Sequence, residues 1–138
     1  MKLRNLACSL ALLAGCGADD QSPTIRIGFA SRELLSGVQV VRIVFHPADR
    51  RCEQLRAMPA VAALRGTVRS EDIILDDDDR ELGSGVDIEM IPAGTYTAVA
   101  VGAAAAGPSF DVIAFGCVED QVISDGERTD IEIVLGAL

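Results

Sequence analysis

The chain has 138 residues and a formal net charge of −9, from 12 basic and 21 acidic side chains, with one histidine and no tryptophan. That acidity excludes the basic footprint by which a domain holds nucleic acid, and it opposes electrostatic attraction to anionic lipid. The length suits one domain with a core of its own.

Residues 1–15 have the order of a leader. Lys2 and Arg4 supply positive charge, Leu6 to Leu13 an apolar run, and Ala14 and Gly15 the small residues a peptidase needs before a cut. The run is shorter than the about 20 residues with which a helix spans a bilayer. The alternative is an uncleaved apolar N-terminus. Leu13-Ala14-Gly15-Cys16 resembles the lipobox of bacterial lipoprotein signals. The resemblance implies cleavage before Cys16, a diacylglyceryl thioether on its sulfur and an acylated amino group. Two or more acyl chains anchor stably where one does not. It further implies a lipid-anchored place in a bacterial cell envelope, and Gly17 in the position after the cysteine favours the outer membrane. Losing Lys2 and Arg4 takes the charge from −9 to −11. Residues 16–23 form a polar tether; its Gly17 to Pro23 part reaches about 25 Å when fully extended.

Residues 24–138 read as an all-β domain. Ile25, Ile27 and Phe29 alternate with Thr24, Arg26 and Gly28, the period of a half-buried strand. A turn follows at Ser36-Gly37. Val38 to Phe45 is apolar on both faces apart from Gln39 and Arg42, as a central strand is, and His46-Pro47 ends it. Residues 49–66 lose the alternation and suit short helical turns, with Pro59 opening one and Gly66 closing it. Ile73 and Leu75 form a short strand. Asp76-Asp77-Asp78-Asp79 and the stretch to Gly85 form an exposed loop, and Val86, Ile88 and Met90 alternate again.

In Ile91-Pro92-Ala93-Gly94-Thr95-Tyr96, Pro92 presets φ and Gly94 can take a positive one, so a tight turn enters the strand Thr95 to Val101. Gly102 to Pro108 is a loop of small residues, and Phe110 to Cys117 is a strand. Ser124-Asp125-Gly126-Glu127 is a hairpin turn. Ile131, Ile133 and Leu135 then alternate with Asp130 and Glu132. About seven antiparallel strands with turns between them is the pattern of an immunoglobulin-like β-sandwich.

The stretch Ile88 to Leu135 resembles the end of a transthyretin-like, or prealbumin-like, sandwich of the collagen-adhesin B type. The residues that carry this are Ile91-Pro92-Ala93-Gly94-Thr95-Tyr96 entering a strand, Gly116-Cys117 within one, the Gly126 turn and the alternating last strand. The chain is also similar to uncharacterised lipoproteins of myxobacteria. The resemblance implies a fold, with roles in adhesion or scaffolding, and no active site. The isopeptide bond of that adhesin group needs a lysine, and none follows Lys2.

Four cysteines are present. Cys8 leaves with the leader and Cys16 takes the lipid, so Cys52 and Cys117 remain, an even pair in an oxidising compartment. A disulfide between them is expected; the other possibility is two buried thiols. Two cysteines and one distant histidine, His46, do not make a zinc spacing. His46 has no nucleophile turn beside it, and Gly83-Ser84-Gly85 lacks the spacing of a nucleophile elbow.

Charge is unevenly placed. Residues 50–69 hold Arg50, Arg51, Arg56, Arg65 and Arg69 against Glu53 alone. They read either as a surface with internal charge pairing or as a patch for an anionic partner. Asp76, Asp77, Asp78, Asp79, Glu81 and Asp87 are the candidate calcium ligands, since calcium wants six to eight oxygens. Arg80 stands where an EF-hand needs an acid, so an acidic loop that keeps a strand edge soluble is the competing reading. The expected function is that of a membrane-anchored structural or protein-interaction module with no cofactor and no catalysis. The alternative is a module that binds calcium at residues 76–87, or a glycan or small molecule at the sandwich rim.

Overall fold

The computed structural model describes residues 22–75, 85–105 and 110–138. Among them the chain is all-β, as expected. The strands are β1 (Thr24–Phe29), β2 (Val40–Pro47), β3 (Arg69–Ile74), β4 (Val86–Asp87), β5 (Gly94–Ala103), β6 (Val112–Ile123) and β7 (Asp130–Ala137). Three short helices accompany them: α1 (Arg32–Gly37), α2 (Cys52–Ala57) and α3 (Pro59–Ala62). The order β3-β2-β5-β6-β7-β1-β4 is continuous, but the β6–β7 ladder consists of two pairs, Ala114 with Ala137 and Phe115 with Gly136. The sheet folds over at that seam. Ile25 and Ile27 of β1 and Ile131, Ile133 and Leu135 of β7 thereby meet Val41, Ile43 and Phe45 of β2 and Ala98 and Ala100 of β5 in one core.

The expectation of antiparallel pairing throughout is corrected at one place. β1 and β7 run parallel over six residue pairs, from Thr24 with Asp130 to Phe29 with Leu135. The first and last strands lie side by side, and no short turn constrains their relative direction. Both present apolar residues at every second position, so either direction would have buried them.

β2 is apolar on both faces because both are covered. Its inner residues face the core described above, while α2 and α3 lie over the other face of the same sheet. There Leu55, Ala62 and Ala63 pack on Val99, Val101 and Phe115. The helical excursion expected at 49–66 thus becomes a lid on the sheet. Pro59 opens α3, and Gly66 closes the segment with a φ of 87°.

Several local expectations change. Residues 32–37 form a helix rather than a turn: Ser31 caps it, its hydroxyl accepting from the Leu34 amide at 3.1 Å. Gly94 does not use a positive φ. A Cβ there would stand 3.2 Å from the Tyr96 hydroxyl, so the glycine makes room for that ring. Tyr96 donates to the Pro92 carbonyl at 2.6 Å, a tyrosine corner that holds the turn against β5. Gly126 does take a positive φ, 78°, in a turn where the Glu127 amide donates to Ser124.

His46 is fully buried on the lid side of β2. Its Nε2 donates to the Ala62 carbonyl at 3.0 Å, which makes Nδ1 the unprotonated nitrogen. Burial, with a smaller contribution from Arg50, holds its pKa below the ordinary 6.5. The folded state therefore favours the neutral ring, and the unfolded chain takes up the proton first. Stability is complete above about pH 6.5 and is lost as pH falls below it. Urea midpoints measured from pH 8 to pH 5 should decline on the acid side, and His46→Leu should flatten that decline. An equal slope in both proteins would assign the effect elsewhere.

Candidate binding cleft at the disulfide

The Pro47 carbonyl accepts from the Arg50 amide at 3.0 Å, turning the chain out of β2 so that α2 starts at Cys52. Leu55 buries its side chain on the sheet and fixes the helix rotation. Cys52 and Arg56, four residues apart, then share one helix face.

On the sheet side, β6 carries a bulge. Tyr96 pairs with Gln121 and Ala98 with Val118, so Glu119 and Asp120 together oppose Thr97. Asp120 takes a φ of 54°, which an aspartate tolerates better than most residues. A bulge re-aims side chains. Here Glu119 accepts from the Cys52 amide at 2.6 Å, and Arg51 ion-pairs with both Glu119 and Asp120. The start of α2 is thereby pinned to β6, and Cys52 is bonded to Cys117 with Cα atoms 5.7 Å apart. The expected disulfide is present.

Beside this bond lies an open cleft of about 480 Å³. Its walls are the disulfide, Glu53 and Arg56 of α2, Phe115 of β6, Val134 and Gly136 of β7, and Ala30. The cleft lies beside the two-pair ladder of β6 and β7. At Gly116 they cross so closely that a Cβ would stand 2.5 Å from the Val134 carbonyl oxygen and 2.7 Å from Ile133 Cγ2. Only glycine fits that crossing.

The five arginines of residues 50–69 divide by partner. Arg51 is paired as above, Arg65 with Asp72, and Arg69 with Glu71 at 3.5 Å. Among the described residues, Arg50 and Arg56 have no carboxylate partner. Arg56 lies over the Phe115 ring, 5.8 Å from its centroid, and makes a long 3.4 Å contact with the Ala137 carbonyl. Internal charge pairing thus accounts for three arginines, and one of the other two stands on the cleft.

Asp76, Asp77, Asp78, Asp79 and Glu81 lie outside the described residues. Asp87 sits on β4 and accepts from the Thr24 hydroxyl at 2.6 Å. No group of three or more histidine, cysteine or acidic side chains among the described residues could hold a metal ion. No helix among them is long and apolar enough to cross a membrane. Cys16 precedes the described part. His46 faces the Ala62 carbonyl rather than the cleft. Arg56 was visible in the sequence as one of five basic residues; what set it apart was its spacing from Cys52, which acquires meaning only once α2 forms. The bulge at Glu119-Asp120 gave no sequence signal beyond two acids interrupting an apolar run. No family model matches the chain, nor does any curated protein or solved structure.

Proposed function

We propose that this chain is a lipid-anchored lipoprotein of a bacterial envelope and that its sandwich is a non-catalytic module for a protein partner. The anchor reading rests on the leader and Cys16. The module reading is supported by one surface, the outer face of the β7–β1 pair. Gly28 lies directly against Val134 across the parallel ladder, and Ala30 and Gly136 continue the same face toward the cleft. Val134 is 54 % exposed. The small residues at this end of the face admit a partner's backbone closely, while Arg26 and Glu132 stand opposite each other farther along it.

The test has two arms. Intact mass of protein extracted from membranes should show loss of residues 1–15 and a lipid adduct, and Cys16→Ser should carry neither change. A photoreactive residue in place of Val134 should give one discrete cross-linked product in intact cells. The same residue in place of Asp125 should not, and Gly28→Glu should abolish the Val134 product. An unmodified Cys16 sinks the anchor, and a blank Val134 lane sinks the module surface.

A further inference from the structure

The Cys52–Cys117 bond does two things in this fold. It pins the lid, and it forms part of the wall of an open cleft. A bond covered by the lid it holds would be closed to solutes. Both cysteines are instead partly exposed, and the cleft beside them falls within the about 300–1,000 Å³ range of sites that take small molecules. We propose that the disulfide is an exchange site for small thiols, entered through this cleft and tuned by Arg56. The inference is independent of which partner covers the β7–β1 face.

The chemistry follows from placement. A thiolate RS⁻ attacks the Cys117 sulfur, forming an RS–S bond to Cys117 as the Cys52–Cys117 bond breaks, and Cys52 leaves as a thiolate. A second thiolate attacks the RS sulfur, releasing RS–SR and the Cys117 thiolate. Two thiols are thus oxidised to one disulfide while one protein disulfide is reduced to two thiols. Thiolates attack, and a leaving thiol of lower pKa departs faster. Arg56 serves the attack. It shares a helix face with Cys52 and lines the same cleft as both cysteines, so its positive charge stands on the side from which the attacking anion enters. Among the described residues no carboxylate pairs with it. The other charges nearby do not compensate. Arg51 is neutralised by Glu119 and Asp120, and Glu53 on the same helix repels anions. In a chain of net charge −9, Arg56 is the one cation among the described residues that line the cleft.

The test is reduction of the purified full-length protein under native conditions. The probes are 2-mercaptoethanesulfonate, which is anionic, and 2-mercaptoethanol, which is neutral, at matched thiolate concentrations. Samples are quenched with an alkylating agent and weighed intact. The expected rate is first order in thiolate and unchanged by low urea, because exchange occurs in the folded protein. Arg56→Gln should slow the sulfonate reagent about threefold relative to mercaptoethanol, within the range that one exposed charge pair is worth. Arg56→Lys, which keeps the charge, should restore the ratio. Reduction seen only in denaturant, or a rate that rises with urea as unfolding does, overturns the proposal. So does an unchanged reagent ratio in Arg56→Gln.

Discussion

Replacing Arg42 by alanine should cost about 3 kcal/mol of folding stability, the low end of what breaking a buried ion pair costs. Arg42 sits mid-strand on β2, directly opposite Asp72 on β3, with a side chain 10 % exposed. Its Nε and Nη2 donate to the two Asp72 oxygens at 2.7 and 3.0 Å, a bidentate pairing. Its Nη1 donates to the Ala63 carbonyl at 3.0 Å, and its guanidinium stacks 4.1 Å from the Phe110 ring centroid. One side chain therefore ties together β2, the edge strand β3, the end of the lid and the start of the segment that enters β6. Arg42, with Arg65 beside it, holds the Asp72 carboxyl below its ordinary range. In Arg42→Ala that carboxylate keeps only the exposed Arg65, and the Ala63 carbonyl loses its donor.

Urea denaturation measures the loss. The double variant Arg42→Met with Asp72→Leu should recover most of it, because removing both charges leaves no buried group unpaired. Amide exchange at Ala62 to Leu64 should quicken in the single variant, since those residues lose the bond that holds the lid there. A cost under about 1 kcal/mol would mean that water screens the pair like a surface salt bridge.

Arg42 also shows what the sequence reveals and where it stops. A lone arginine in Val38 to Phe45 marks a central strand with one polar intrusion, and that much is legible. Its reason is not, because Asp72 lies thirty residues away and Ala63 belongs to a lid whose position depends on the whole sheet. Where burial is set by period two, the reading succeeds: Ile25, Ile27, Ile131, Ile133 and Leu135 all enter the core. The direction of β1 against β7 was beyond it, because alternation carries no arrow. β6 runs on to Ile123, six residues past its expected end at Cys117. Glu119 and Asp120 look like a strand end until the bulge shows them turned toward Arg51. Pairing Cys52 with Cys117 needed only counting once Cys8 was read as leaving with the leader and Cys16 as taking the lipid. The cleft needed the seam between β6 and β7, which no local pattern encodes.

That counted pair carries the other large effect. Replacing Cys52 and Cys117 together by serine should destabilise the domain by about 4 kcal/mol, since the cysteines lie 65 residues apart and the chain-entropy cost of opening so long a loop is near that figure. The mechanism can be separated from lost packing. If the bond acts by restricting the unfolded chain, the double serine variant exposes more surface on unfolding, and its urea m-value should rise with the fall in midpoint. If the bond acts by holding α2 against β6 in the folded state, the m-value stays level, and amide exchange quickens selectively around Leu55. Intact mass of the natural protein should rise by two hydrogens on reduction, with neither Cys52 nor Cys117 alkylated beforehand. Early alkylation of both would remove the bond itself. With Arg51 held by Glu119 and Asp120, and Leu55 buried on Val99 and Val101, the lid has anchors that survive reduction. The reduced protein should accordingly keep its β-sheet circular dichroism at 25 °C while unfolding at lower urea. This combination, a bond of high value to stability that can open without collapse of the fold, is what reversible exchange at the cleft requires.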